Sequence, residues 1–227
     1  MRKRTFIKIS AGLVALSGVA LLVYVLFPII SYEFANSIRF TSTLSPIPGG
    51  QAAASASQKN IDYTKASNWF ADGKERDFSN SQIGYYRLSI PKLNIKDATV
   101  AIGGEDLADS LIQYPGTAVP GKRGNAVIFG HSILPQFYNP KNYLSIFSKL
   151  PTLKKDDEIF VEYDGVSYKY KVEEMFEVLP ADLQVLEQDS SDSFLTLVTC
   201  TPPGHPLRPK RLIVRARVVP LNAQSKN

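Results

Sequence analysis

The chain has 227 residues, 44% hydrophobic and 21% charged, enough to bury one sizeable core and too apolar for a disordered or collagen-like polymer. Lys and Arg outnumber Asp and Glu by 26 to 21, but Arg2, Lys3, Arg4 and Lys8 lie in an acid-free first 30 residues, so the remainder is close to neutral. No basic stripe interleaved with aromatics follows, which argues against nucleic acid as a partner.

In chain order, a basic tail (1–8) precedes a charge-free run from Ile9 to Ile30. About 20 apolar residues suffice to cross a bilayer as a helix, and the basic flank stays in the cytoplasm. The expectation is a cytoplasmic tail at 1–8, a transmembrane signal anchor at 9–30 and an extracytoplasmic remainder. A cleaved signal peptide is the rival, with a weak small-residue site at Ala35-Asn36-Ser37. The run exceeds the roughly 7 to 15 residues of a signal-peptide core, which favours the anchor.

Residues 31–82 read as a linker. Within it "TSTLSPIPGGQAAASASQKN" (41–60) has the composition of a flexible tether. Residues 61–80 carry Tyr63, Trp69, Phe70 and Phe78 among polar neighbours, as either a short helix packed on the domain or a lid over an active site.

From 83 to 220 the period becomes two, and 221–227 form a polar tail. "YRLSI" alternates, "AVIFG" is a short buried run, and "EIFVEY" and "VSYKYKV" flank Asp164-Gly165, a strong hairpin turn. "FLTLVTC" and "RLIVRARVV" add two strands, while "EDLADSLIQY" and "NYLSIFSKL" look like short helices. Short strands with turn signals indicate an all-β domain, a compact antiparallel barrel or sandwich.

The chemistry rests on few residues. Cys200 is the single cysteine; outside the membrane it is either a reactive thiol or a small buried core residue. It ends a strand, as His131 ends "AVIFG" in "GHS", and an imidazole beside a thiol makes it a useful nucleophile. His205, in the proline-rich "PPGHPLRP", reads as a solvated loop residue and a reserve candidate. One Cys and two His without close spacing fall short of a zinc signature, so neither cofactor nor metal is expected. Attack on a carbonyl needs a donor for the oxyanion. Arg211, Arg215 and Arg217 share one strand face, and Arg211 begins the strand that the Cys200 loop leads into.

Taken together, "TLVTCTP" followed by "RLIVRA" resembles the Thr-Leu-x-Thr-Cys signature and downstream arginine of the sortases, cysteine transpeptidases of the bacterial cell surface. "IPKLNI", "GNAVIFGHS" and "IFSKLPTLKKDDEIFV" are similar to further segments of that family in the same order, across about residues 84–219. The resemblance implies a closed eight-stranded β-barrel, with Cys200 as nucleophile, His131 as general acid and base, Arg211 as the oxyanion cation and Thr199 in contact with the sorting motif. It also implies surface proteins bearing an LPXTG-like C-terminal motif as substrates, and an amine on a cell-wall precursor or a pilin-like protein as acceptor.

Asp156 stands where the family's "LKKGD" has glycine, which implies an altered turn. Residues 61–80 lack the Asp-Pro of pilin-polymerising lids and "LNAQSKN" cannot span a membrane, although "CTPPG" is similar to that branch. Surface-protein anchoring, or a less studied branch, therefore fits better than pilus assembly. Two other classes stay open: a cysteine hydrolase whose acyl acceptor is water, and a catalytically silent peptide-binding assembly factor. A cell-wall L,D-transpeptidase is set aside for want of Ser-x-Gly-Cys.

Overall fold

The computed structural model describes residues 2–36, 62–70 and 84–220, and the chain divides between Arg39 and Phe40 into two compact units. The first contains helix α1 (Arg2–Asn36), with Pro28 inside it. Its segment Ile7–Ala35 is long and apolar enough to cross a membrane. Leu13, Val14, Leu16, Leu21 and Phe27 stand exposed along it, as lipid-facing side chains would. The tether expected at 41–60, residues 61 and 71–80 of the aromatic segment, and the 221–227 tail lie outside the described residues.

The second unit is built on eight strands: β1 (Gly84–Ile90), β2 (Ile95–Ile102), β3 (Leu111–Gln113), β4 (Gly124–Phe129), β5 (Glu158–Tyr163), β6 (Val166–Val178), β7 (Ser193–Thr201) and β8 (Lys210–Val218). They close into a barrel in the order β1-β2-β3-β4-β7-β8-β6-β5, with β5 antiparallel to β1. The β5–β6 turn is the expected one, Asp164 and Gly165 both taking positive φ of 51° and 72°, the twist a two-residue hairpin needs.

Three expectations need correction. The barrel is mixed, because β2–β3 and β4–β7 pair in parallel. "EDLADSLIQY" is no helix: its Leu107 and Leu111 have helical spacing, but residues 111–113 pair with β2 and β4 as β3, and ladder hydrogen bonds outweigh a weak local preference. "NYLSIFSKL" forms successive turns up to a 3-10 turn at Leu150–Thr152. There Phe147 N–H donates to the His131 carbonyl (2.9 Å), and the Ser148 hydroxyl accepts from Ile133 N–H (2.9 Å). Strand β2 escaped sequence reading because Lys96 and Asp97 interrupt it, with Asp97 at φ 50° beside a register shift against β1.

Strands β4 and β7 are buried at every position, so both of their faces are covered. One face lines the barrel interior. The other joins an apolar cluster holding Val127 and Phe129 of β4, Val198 and Cys200 of β7, Ile213 of β8 and Val178 of β6, together with Trp69 and Phe70 from before the barrel and Val185 from the β6–β7 loop. Double coverage explains why "AVIFG" reads as continuous rather than alternating.

Candidate active site

Adjacent strands bring the three singled-out residues into one row. In the β7–β8 ladder Cys200 pairs directly with Arg211, which sets their Cβ atoms ~4.5–5.5 Å apart on one face. In the parallel β4–β7 ladder Phe129 lies opposite Val198, and Gly130 N–H still donates to the Val198 carbonyl (3.1 Å). Two residues further on, His131 reaches the level of Cys200. The Ser132 hydroxyl donates to the Cys200 carbonyl (2.7 Å), tying the histidine loop to the end of β7. Gly130 is required there: a Cβ would lie 2.4 Å from Phe147 and 2.5 Å from Leu111.

Residues 62–70 lie over this row. Lys65 bridges Asp106, through Ala66 N–H to the Glu105 carbonyl (3.0 Å) and Leu107 N–H to the Thr64 carbonyl (2.9 Å), and Ser67 hydrogen-bonds the Glu105 carboxylate. A 3-10 turn at Ala66–Asn68 then presents Trp69. Its indole stacks on Phe129 (5.4 Å, 11°) and meets the His131 ring at 5.6 Å. The Arg211 guanidinium lies 5.5 Å from the same indole, and its Nε and Nη2 both donate to the Trp69 carbonyl (3.3 and 3.1 Å). Arg211 Nη1 donates to the carbonyls of Arg208 (2.9 Å) and Lys210 (3.1 Å). One tryptophan thus touches both ends of the row and buries the cysteine between them.

A Sortase domain model matches residues 88–219, which takes in β2 to β8, the end of β1 and the whole row. The chain belongs to the sortase family. Sortase A of Bacillus anthracis is 28% identical over 153 residues, 63% of this chain and 69% of that relative. Sortase A of Staphylococcus aureus is 30% identical over 124 residues, 46% of this chain and 57% of that protein. Among solved structures, a lid mutant of Sortase A from Corynebacterium diphtheriae aligns with TM-score 0.53 and 29% identity over 64% of this chain and 76% of that one. A Clostridium perfringens Sortase D5 transpeptidase aligns with TM-score 0.51 and 27% identity over 60% and 79%.

Within this sortase barrel the electrostatics follow from the cover. Burial pushes the His131 imidazole down to about 4, helped by the positive charge of Arg208, with Asp106 and Asp62 opposing. The ring is therefore neutral near pH 7, and among the described residues its buried Nε2 has no hydrogen-bond partner. Arg211 is also buried, but carbonyls on three sides and two aromatic faces, Trp69 and Tyr63, satisfy its charge.

Thr199, expected to contact the sorting motif, packs inside the barrel wall. It is fully buried and, by strand alternation, points away from the face that carries Cys200. Its hydroxyl donates to the Gly130 carbonyl (2.8 Å). It braces the histidine loop from behind. His205 lies in the β7–β8 loop, its Nδ1 accepting from Leu207 N–H (3.2 Å). Among the described residues no three His, Cys, Asp or Glu side chains gather as a metal site. The sequence offered residues 61–80 as a short helix on the domain or a lid, from their aromatic cluster; what it did not single out is Trp69 as the residue that meets both His131 and Arg211.

Proposed function

We propose that this chain is a cysteine transpeptidase that cleaves an LPXTG-like sorting motif after threonine and transfers the acyl group to an amine on the cell wall or on another surface protein. One observation carries the proposal: His131, Cys200 and Arg211 form a single row across β4, β7 and β8 beneath an apolar cluster that includes Trp69 and Phe70, within a sortase domain. Neutral His131 takes the Cys200 thiol proton as Sγ attacks the threonine carbonyl carbon, and Arg211 donates to the oxyanion, whose charge grows in the transition state. As the tetrahedral intermediate collapses, the C–N bond breaks and His131 gives the departing amine its proton. The thioester is then attacked by the acceptor amine, which loses a proton to His131 as the C–S bond breaks. Helix α1 anchors the enzyme, its N-terminus cytoplasmic and its barrel outside.

On this reading residues 62–70 form a lid. The Trp69 carbonyl occupies the acceptor position that the scissile carbonyl needs on Arg211, while Trp69 and Phe70 fill the apolar groove. Sorting peptide has to displace them. The C. diphtheriae Sortase A structure is that of a lid mutant, which supports the same arrangement.

The test is the full chain in detergent with a panel of sorting-motif peptides, with and without oligoglycine or a lysine-type amine, followed by mass spectrometry. A thioester adduct on Cys200 and an amine-dependent ligated product are expected. Cleavage without amine incorporation favours the hydrolase, and peptide left unchanged across the panel favours a binding-only assembly factor.

A further inference from the structure

Strand β4 contains a misfit. "GNAVIF" is buried throughout, yet Asn125 within it is fully buried and polar. A buried amide costs stability unless its hydrogen bonds are made. Its Oδ1 accepts from the Thr196 hydroxyl on neighbouring β7 (2.7 Å). Its Nδ2 reaches out of the barrel wall to the carbonyls of Val185 (3.1 Å) and Glu187 (3.5 Å) in the β6–β7 loop. The loop answers in kind. Gln188 Oε1 accepts from the backbone N–H of Asn125 (3.1 Å) and of Ala118 (3.0 Å), while its Nε2 donates to the carbonyls of Asn125 (3.0 Å) and Leu186 (3.1 Å).

The Gln188 amide therefore pairs with both backbone groups of Asn125, as a neighbouring strand would, and the Asn125 amide holds the backbone on the near side of Gln188. The approach is close. Gly124 sits at φ 126°, and a Cβ there would lie 2.7 Å from the Ala118 Cβ and 3.0 Å from Gln188 Oε1. Val185, whose carbonyl is gripped, places its side chain in the apolar cluster with Trp69, Phe70 and Cys200, and Leu183 and Leu186 flank it.

We infer that Asn125 and Gln188 are positioning residues that hold the β6–β7 loop as a preformed wall of the sorting-motif groove, so that the groove binds peptide without first having to order that loop. This inference rests on the sortase reading of the groove. Without the clamp, the wall-in-place conformation is only fractionally populated, and apparent affinity falls by that fraction. The row of Cys200, His131 and Arg211 is set by the β4–β7 and β7–β8 ladders and by Ser132, not by the β6–β7 loop, and keeps its geometry.

Gln188 is exposed, so Gln188→Ala spares the core. Steady-state kinetics use the Trp69→Ala background, which removes competition from the lid. There Gln188→Ala raises KM for a Leu-Pro-x-Thr-Gly peptide about tenfold with kcat within about twofold, the pattern of lost ground-state binding. Gln188→Glu, which keeps the acceptor and loses the donor, falls between. A fall in kcat at unchanged KM, or no change in either, overturns the inference. Hydrogen exchange on the otherwise wild-type full chain needs no turnover: amides 183–187 exchange faster in Gln188→Ala while those of β7 do not. If the parent enzyme never forms product, the functional reading fails and exchange alone decides the clamp; unchanged exchange at 183–187 then refutes it.

Discussion

The floor of the groove and its cover are held by different kinds of bonds. The floor is ladder: Cys200 and Arg211 are paired residues in an antiparallel run from Phe194 to Thr201, and His131 is reached along a parallel run of six pairs. The cover is held by a two-bond bridge to residues 105–107, the Ser67–Glu105 hydrogen bond, the packing of Trp69, Phe70 and Tyr63, and one backbone carbonyl on Arg211. Moving the floor requires unzipping a barrel, whereas moving the cover breaks a handful of contacts. The cover can therefore open on one side while Cys200, Arg211 and His131 stay in register.

The comparison breaks most visibly at the floor. Cys200→Ala is expected to remove the thioester adduct and to lower product by more than about a thousandfold, His131→Ala to lower turnover about 10²- to 10⁴-fold and Arg211→Ala about 10²- to 10³-fold, all read by mass spectrometry of ligated peptide. Full activity in any of them would move the chemistry elsewhere.

Next is the cover. Trp69→Ala is expected to speed alkylation of Cys200 by a small thiol reagent about tenfold or more, with a loss in unfolding free energy well short of the ~3–5 kcal/mol typical of a core tryptophan. A full core-sized loss in denaturant titration would make residues 62–70 part of the fold and end the distinction between floor and cover.

The pH dependence sharpens the contrast further. Covered His131 titrates at about 4, and an uncovered ring returns toward ~6.5. Between those values the opened or unfolded chain binds a proton that the closed one refuses. The closed state is thus fully favoured above ~6.5 and loses stability as pH falls toward 4. Imidazole NMR of the parent and Trp69→Ala should give two separate midpoints; a shared midpoint would show that the indole does not govern the ring.

The smallest effect lies far from both regions. Asp156 occupies the glycine position with φ 69°, and its N–H donates to the Val172 carbonyl (2.8 Å), so the turn survives at some backbone cost. Asp156→Gly should raise stability by no more than ~1 kcal/mol and leave activity untouched, as thermal melts and ligation assays would report.

Much of the floor was legible because its signals are local. A lone cysteine at the end of an apolar run, a histidine at the end of another and an arginine opening the following strand each announce themselves in a few residues. The hairpin at Asp164-Gly165 is local in the same way, since its two positive φ angles suit those two residues. Strand β3 was not legible: three residues carry no period, and only partners on β2 and β4 make them a strand. Asn125 lay hidden for a related reason, because its partners Val185 and Glu187 lie 60 and 62 positions away.

The amino-acid sequence by itself determined the apolar N-terminal helix and most of the strands, and it singled out Cys200, His131 and Arg211 as candidates, because charge-free length, period-two alternation and residue chemistry act over short stretches of chain. Tertiary structure alone decided that β4 and β7 run parallel and so bring His131 level with Cys200, that Thr199 faces away from the Cys200 side of β7, and that Trp69 closes over the row. Those outcomes depend on contacts between segments tens of residues apart, where ladder hydrogen bonds and shared burial override what any segment prefers on its own.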